Sequence, residues 1–128
     1  MGDSATAAPN PVCLTGLAAD LWPHTAQLEA DGDISVGGLR LSALAGRYGT
    51  PAYILDEADV RARCRAYAGA FPGAEIAYAG KAFLCRAMAQ WIAQEGLSLD
   101  VCSAGELAVA RSVGFPADRA SRERQDTS

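Results

Sequence analysis

The stretch "AEIAYAGKAFLCRAMAQWIAQEGLSLDVCSAGELAVARSVG", residues 74–114, constrains the fold more than any other, because its apolar residues switch between a period of two and a helical period. Residues 75–79 alternate as a strand. Leu84, Met88, Trp91 and Ile92 then fall on one helical face, with Gly96 just past the helix end. "LSLDVC" alternates Leu97, Leu99 and Val101 against Ser98, Asp100 and Cys102, and a further helix covers residues 103–113 ahead of Gly114. The segment between Lys81 and Leu97 is long enough for the crossover that joins two parallel strands, which predicts a right-handed βαβ unit. The fold class is therefore α/β.

Upstream, Ile34 with Val36 and Leu39 with Leu41 form two short alternating runs separated by Gly37-Gly38, the signature of a two-residue hairpin. Ser42 is placed to cap a short helical turn that stops at Gly49, before the extended Thr50-Pro51 step. "PAYILD" reads as a short buried strand or an extended link. Asp56 follows as an N-cap, with Asp59 in the reciprocal position of a capping box. Val60, Cys64, Tyr67 and Phe71 recur at helical spacing, and Glu57 with Arg61 and Asp59 with Arg63 make i,i+4 pairs until Pro72-Gly73 ends the helix. Residues 119–128, "RASRERQDTS", carry no apolar side chain larger than alanine where a βα series needs its next buried strand, so the pattern is expected to stop there.

Composition narrows the partners. With 11 basic and 15 acidic residues the chain has a formal net charge of -4, the wrong sign for neutralising many phosphates, which argues against nucleic acid. Cys13, Cys64, Cys85 and Cys102 contain no C-x-x-C pair, so neither a metal site nor a disulfide framework is expected, and reduced thiols point to the cytoplasm. Residues 1–15 are rich in Ala, Pro and Ser and read as a flexible tail, with neither a secretion signal nor a membrane span in the chain. Gly2 and Thr6 fit the loose myristoylation pattern, a weak signal with no basic patch behind it.

In a parallel α/β arrangement ligands are handled at the carboxyl ends of strands, and Lys81 lies at such an end. Ala79 and Ala77 precede it at a spacing of two, which leaves room for a flat ligand, and Asp100 on the next strand can approach the lysine. Such an amine, once deprotonated, forms an imine with a carbonyl; desolvation favours the neutral form and a neighbouring carboxylate the charged one. Spacing alone leaves a second reading open and favours it: a solvated lysine that begins a helix. The chain has one lysine against ten arginines, which weighs against one more solvated charge, although an arginine-rich composition produces the same bias.

"YGTPAYILDEADVRARCRAY", "FPGAEIAYAGKAF" and "GLSLDVCSAGELAVARSVGFP", in this order and spacing, resemble the amino-terminal part of the diaminopimelate decarboxylases, fold-type III pyridoxal-phosphate enzymes. The similarity covers residues 34–119. Ornithine and arginine decarboxylases and alanine racemases share a Y-A-x-K-like element, but the hairpin leading into Y-G-T-P and the D-V-C-S-A-G-E-L run suit the diaminopimelate branch better. The resemblance implies a TIM-type, alanine-racemase-like β/α barrel, of which this chain holds the first two βα units, preceded by a hairpin belonging to a β-domain. It divides the chain into the tail at 1–15, β-domain segment at 16–50, pyridoxal-phosphate-binding barrel at 51–119 and a disordered or aberrant tail at 120–128.

By the same resemblance Lys81 is the residue that carries pyridoxal 5'-phosphate as a Schiff base, Ala79 lines the cofactor, and Asp100 is the acidic residue near the lysine. The implied reaction converts meso-2,6-diaminopimelate, a small-molecule amino-acid substrate, to L-lysine and carbon dioxide, in an enzyme whose full-length form is a homodimer. Glu106 falls on a family motif position, but Ser103 and Glu106 also form S-x-x-E at a helix head, and the capping box is the preferred reading. Cys102 is read as packing, and His24, the only histidine, as a surface or partner-domain residue. The glycine-rich phosphate loop and the substrate-binding arginines belong to family segments beyond residue 119, so the expectation is either a decarboxylase given in part or a truncated, non-catalytic product. A two-strand parallel sheet leaves backbone groups unpaired, and the chain alone is expected to be aggregation-prone.

Overall fold

The computed structural model describes residues 21–122, and the chain divides into two compact units, one through Asp59 and the other from Val60. The tail at 1–15, Cys13 and the Gly2–Thr6 pattern lie outside the described residues.

In the first unit β1 (Gln27–Leu28), β2 (Ile34–Val36) and β3 (Leu39–Arg40) form an antiparallel sheet in that order. The β2–β3 hairpin closes as its sequence predicts: Val36 faces Leu39, and Gly37 and Gly38 take φ of 58° and 79°, the doubly positive turn that only glycine enters readily. The strand expected to run on to Leu41 stops at Arg40, where α1 (Leu41–Tyr48) begins. Ser42 is not the cap: the N-cap position is Arg40, which supplies no side-chain bond, and the Ser42 hydroxyl donates to Asp33 Oδ2 at 2.5 Å. Asp33 also accepts from Arg40 Nε at 2.9 Å, and Arg40 reaches Asp31 with its other arm, so this polar cluster takes Ser42 away from the helix end. Gly49 ends α1, its N–H donating to the Ala45 carbonyl at 2.8 Å.

"PAYILD" proves to be the extended link and not a buried strand, because Tyr53, Ile54 and Leu55 are exposed. Asp56 then caps α2 (Glu57–Ala70), accepting from Ala58 N at 2.9 Å while also receiving the Thr25 hydroxyl. His24, half exposed, donates its backbone N–H to Asp59 Oδ1 at 2.9 Å and sets Nδ1 2.6 Å from the same oxygen.

In the second unit β4 (Ala77–Ala79), β5 (Ser98–Val101) and β6 (Ala120–Arg122) form a parallel sheet with β5 in the middle. The crossovers carry α3 (Arg86–Gln94) and α4 (Ala104–Ser112), followed by a 3-10 turn at Ala117–Arg119. Tyr78, Leu99 and Val101 point to the helices and pack with Met88, Ile92 and Ala110, Leu99 and Ile92 being fully buried. Burying one such side chain contributes about 1.5–3 kcal/mol, so this layer supplies the unit's main drive to fold. Of the helical stripe on α2, Cys64 is buried and Val60 partly so, whereas Tyr67 and Phe71 stay exposed.

β6 is a correction. The sequence pattern ends at 119, yet the chain adds a third parallel strand over Ala120–Arg122, opposite Leu99, Asp100 and Val101. Backbone pairing along the β5 edge is independent of side-chain polarity, and Ala120 is apolar enough to join the core. Arg119 secures the approach, donating to the Leu97 and Ala93 carbonyls at 3.1 and 3.3 Å while stacking over Phe115. Residues 123–128 lie outside the described residues.

Candidate functional site

The carboxyl ends of β4 and β5 bring together Ala79, Gly80, Lys81, Asp100 and Glu106. β4 begins two residues later than its alternation suggests, although the Ile76 carbonyl already accepts from Ser98 N at 2.9 Å. Its register sets Ala77 opposite Ser98 and Ala79 opposite Asp100. Directly opposed residues share a face, so the small Ala77 and Ala79 lie with Asp100 on the side away from the helices, as their spacing predicts.

Lys81 does not begin a helix. It occupies a turn over residues 80–82, closed by Ala82 N donating to the Ala79 carbonyl at 3.1 Å, and α3 starts only at Arg86. Cys85 caps that helix, its Sγ accepting from Met88 N at 3.5 Å. The lysine is exposed at the carboxyl end of β4.

Three further bonds fix this turn. Gly80 N donates to the Asp100 carbonyl at 2.8 Å, so the residue before the lysine is tied to the acidic residue's own backbone. Tyr78 Oη reaches past the turn to donate to the Phe83 carbonyl at 2.7 Å. Glu106 Oε2 accepts from Cys102 N at 2.7 Å, and the same oxygen lies 3.4 Å from where a Cβ on Gly80 would stand. That Cβ would also meet the Asp100 carbonyl oxygen at 3.0 Å, a crowding that glycine avoids.

Glu106 thus takes part in a cap, but not the symmetrical box. Ser103 Oγ accepts from Glu106 N at 3.2 Å as expected; the return bond goes to the Cys102 amide, one residue before the cap. Cys102 itself is half-buried. Burial pushes the Tyr78 phenol and the Cys64 thiol above their ordinary values, and for Tyr78 the thiols of Cys85 and Cys64 add to the effect. An apolar cavity of about 400 Å³, lined in part by Cys64, Tyr67, Tyr78, Ala79 and Ala82, adjoins β4 without including Lys81.

The sequence reading missed Tyr78 and Gly80. The available signal for Tyr78 was a tyrosine on the core side of a strand, whose hydroxyl needs a partner when buried; for Gly80 it was a glycine directly after a strand. Among the described residues no group of His, Cys, Asp and Glu forms a metal cluster, and no helix is long and apolar enough to cross a membrane. The arrangement offers a primary amine, two carboxylates and a small-residue face, a set suited to holding a flat carbonyl compound.

Residues 57–123 match the family described as "Pyridoxal-dependent decarboxylase, pyridoxal binding domain". The chain is 57% identical over 103 residues to the diaminopimelate decarboxylase of Actinosynnema pretiosum subsp. auranticum, covering 80% of this chain and 23% of that protein. Against the diaminopimelate decarboxylase of Mycobacterium leprae it is 51% identical over 109 residues, covering 84% and 23%. Among solved structures it superposes with a TM-score of 0.69 and 30% identity on the diaminopimelate decarboxylase of M. jannaschii in complex with L-lysine, covering 78% of this chain and 25% of that one. AQ1208 from Aquifex aeolicus gives a TM-score of 0.70 at 33% identity, covering 77% and 24%. The chain spans about a quarter of the length of the relatives it matches.

Proposed function

Because the chain belongs to the pyridoxal-dependent decarboxylase family by its pyridoxal-binding domain, we propose that it serves the decarboxylation of meso-2,6-diaminopimelate to L-lysine and carbon dioxide. Lys81 is the attachment point for pyridoxal 5'-phosphate in this reading. The observation that carries it is the position of the chain's single lysine, in the turn beyond β4 and beside the Asp100 backbone, within a sequence 57% identical to a diaminopimelate decarboxylase.

The residues present fit such a group. A primary amine is the donor its aldehyde requires, and Ala77 and Ala79 keep the adjoining face low. When bound, pyridoxal phosphate supplies an electron sink for the carbanion left by loss of carbon dioxide. The Lys81 amine would hold the cofactor through its aldehyde carbon. Ala79, opposite Asp100, lets the ligand lie close to the sheet. The turn bonds from Tyr78 and Gly80 fix the backbone from which the Lys81 side chain departs, so the amine searches from a set anchor point. The substrate is a small amino acid and the working assembly a homodimer; the free thiols of Cys64, Cys85 and Cys102 suit the reducing cytoplasm.

Borohydride reduction in the presence of pyridoxal phosphate, followed by peptide mapping, tests the assignment. The folded chain is expected to carry label at Lys81 well above a urea-denatured control, and Lys81→Arg to lose it. Equal labelling of folded and denatured chain would remove Lys81 from the site.

A further inference from the structure

We propose that Glu106 is a positioning residue for Lys81, acting through the backbone at the carboxyl ends of β4 and β5; the proposal rests on Lys81 being the attachment point. A capping box requires the acid at the third helical position to return to the N–H of the cap residue. Glu106 instead passes Ser103 and accepts from the Cys102 amide at 2.7 Å. That reach carries its carboxylate off the end of α4 and against Gly80, 3.4 Å from the position of an added Cβ. Gly80 is buried, is bonded through its own N–H to the Asp100 carbonyl at 2.8 Å, and is joined covalently to Lys81. One side chain therefore braces the end of β5 and fills the space behind the lysine turn.

The physical role is occupancy and hydrogen-bond acceptance, with no need for the negative charge. Removing the side chain beyond Cβ takes away the acceptor at Cys102 and opens a gap behind Gly80, which gives the Lys81 turn room to shift. Glutamine keeps an acceptor oxygen at the same reach. Aspartate keeps the charge but is one methylene too short to span Cys102 and Gly80 together. Alanine at Ser103 removes the helix cap and leaves the Glu106 brace in place.

The test compares these variants in the full 128-residue chain, reading the rate of pyridoxal-phosphate labelling at Lys81 by borohydride trapping and peptide mapping, with helicity followed by circular dichroism. A displacement of the amine by about 1 Å costs up to ~100-fold in rate, so Glu106→Ala and Glu106→Asp are expected to label about tenfold more slowly than the parent. Glu106→Gln and Ser103→Ala are expected to stay within about twofold, because both keep the brace. Parent-like labelling in Glu106→Asp overturns the proposal, even where Glu106→Ala fails to fold. Slow labelling in Glu106→Gln assigns the effect to charge and overturns it too, and slow labelling in Ser103→Ala reduces Glu106 to a helix cap. A parent chain that labels no faster than its denatured control refutes the attachment reading itself, a result separable from all of these because it precedes any substitution.

Discussion

Tyr78→Phe deletes one oxygen from the second unit, and the structure fixes what that oxygen does. Its hydroxyl donates to the Phe83 carbonyl at 2.7 Å, closing the loop that contains Lys81. A neutral hydrogen bond of this kind contributes about 0.5–1.5 kcal/mol net. Phe83 is 38% exposed, so water can reach the freed carbonyl, and a loss of about 1 kcal/mol is expected. That corresponds to roughly a fivefold change in the folded-to-unfolded ratio. The phenol also reports its own environment. Burial raises it above the ordinary value of 10.0, so its contribution to stability is complete below that value and is lost as the pH climbs through the folded-state pKa. Phenolate absorbance of the parent minus that of Tyr78→Phe isolates this one group from the exposed Tyr48, Tyr53 and Tyr67. The difference is expected to titrate above pH 10.0, and urea midpoints at neutral pH to fall in the variant. A difference titration at or below 10.0, together with unchanged midpoints, would refute both the burial of the phenol and its bond across the loop.

Leu99→Ala empties a fully buried position on the central strand and is expected to destabilise the second unit by about 3–5 kcal/mol in urea unfolding. Leu39→Ala, at an exposed hairpin position, should cost less than about 0.5 kcal/mol; comparable losses would contradict the core described above. In the first unit, the Ser42 hydroxyl, then the Ile34 amide and Arg40, hold the Asp33 carboxyl below its ordinary 3.8, and Arg40 does the same for Asp31. A depressed carboxyl contributes stability above its unfolded value and loses it as the pH falls through the folded one. Protection of the Ile34, Ser35 and Val36 amides, taken relative to their intrinsic exchange at each pH, should therefore fall on acidification below 3.8, and Asp33→Asn should flatten that response; an unchanged acid response in the variant would remove the cluster as its source.

The elements whose signals are local were legible in the sequence. Gly37-Gly38 specifies its hairpin because the doubly positive turn strongly favours Gly, Asn and Asp over other residues, and the 97–101 alternation specifies β5 because one face must meet the helices. The same reasoning failed where a tertiary partner competed. Ser42 has the right chemistry for a cap and spends it on Asp33, nine residues earlier in the chain. β6 escaped notice because its strand is made by backbone pairing to β5, and Ser121 is a polar residue in the middle of it.

Lys81 combines both cases. Spacing alone favours a solvated lysine and the imine-forming role comes from the resemblance, while counting by twos puts Ala77 and Ala79 on one face without fixing that Ala79 meets Asp100. The helix expected to start at the lysine begins at Arg86, because the intervening residues are held by bonds that no helix supplies, Gly80 to Asp100 and Phe83 to Tyr78, with the Glu106 carboxylate packed behind Gly80. No hydrophobic period encodes such bonds. The consequence for the chemistry is direct. A lysine that opened a helix would take its direction from that helix, whereas a lysine in a cross-braced turn takes it from β5, the strand that carries Asp100. Changes that loosen the turn are therefore expected to alter the rate at which the amine is captured well before they alter the sheet.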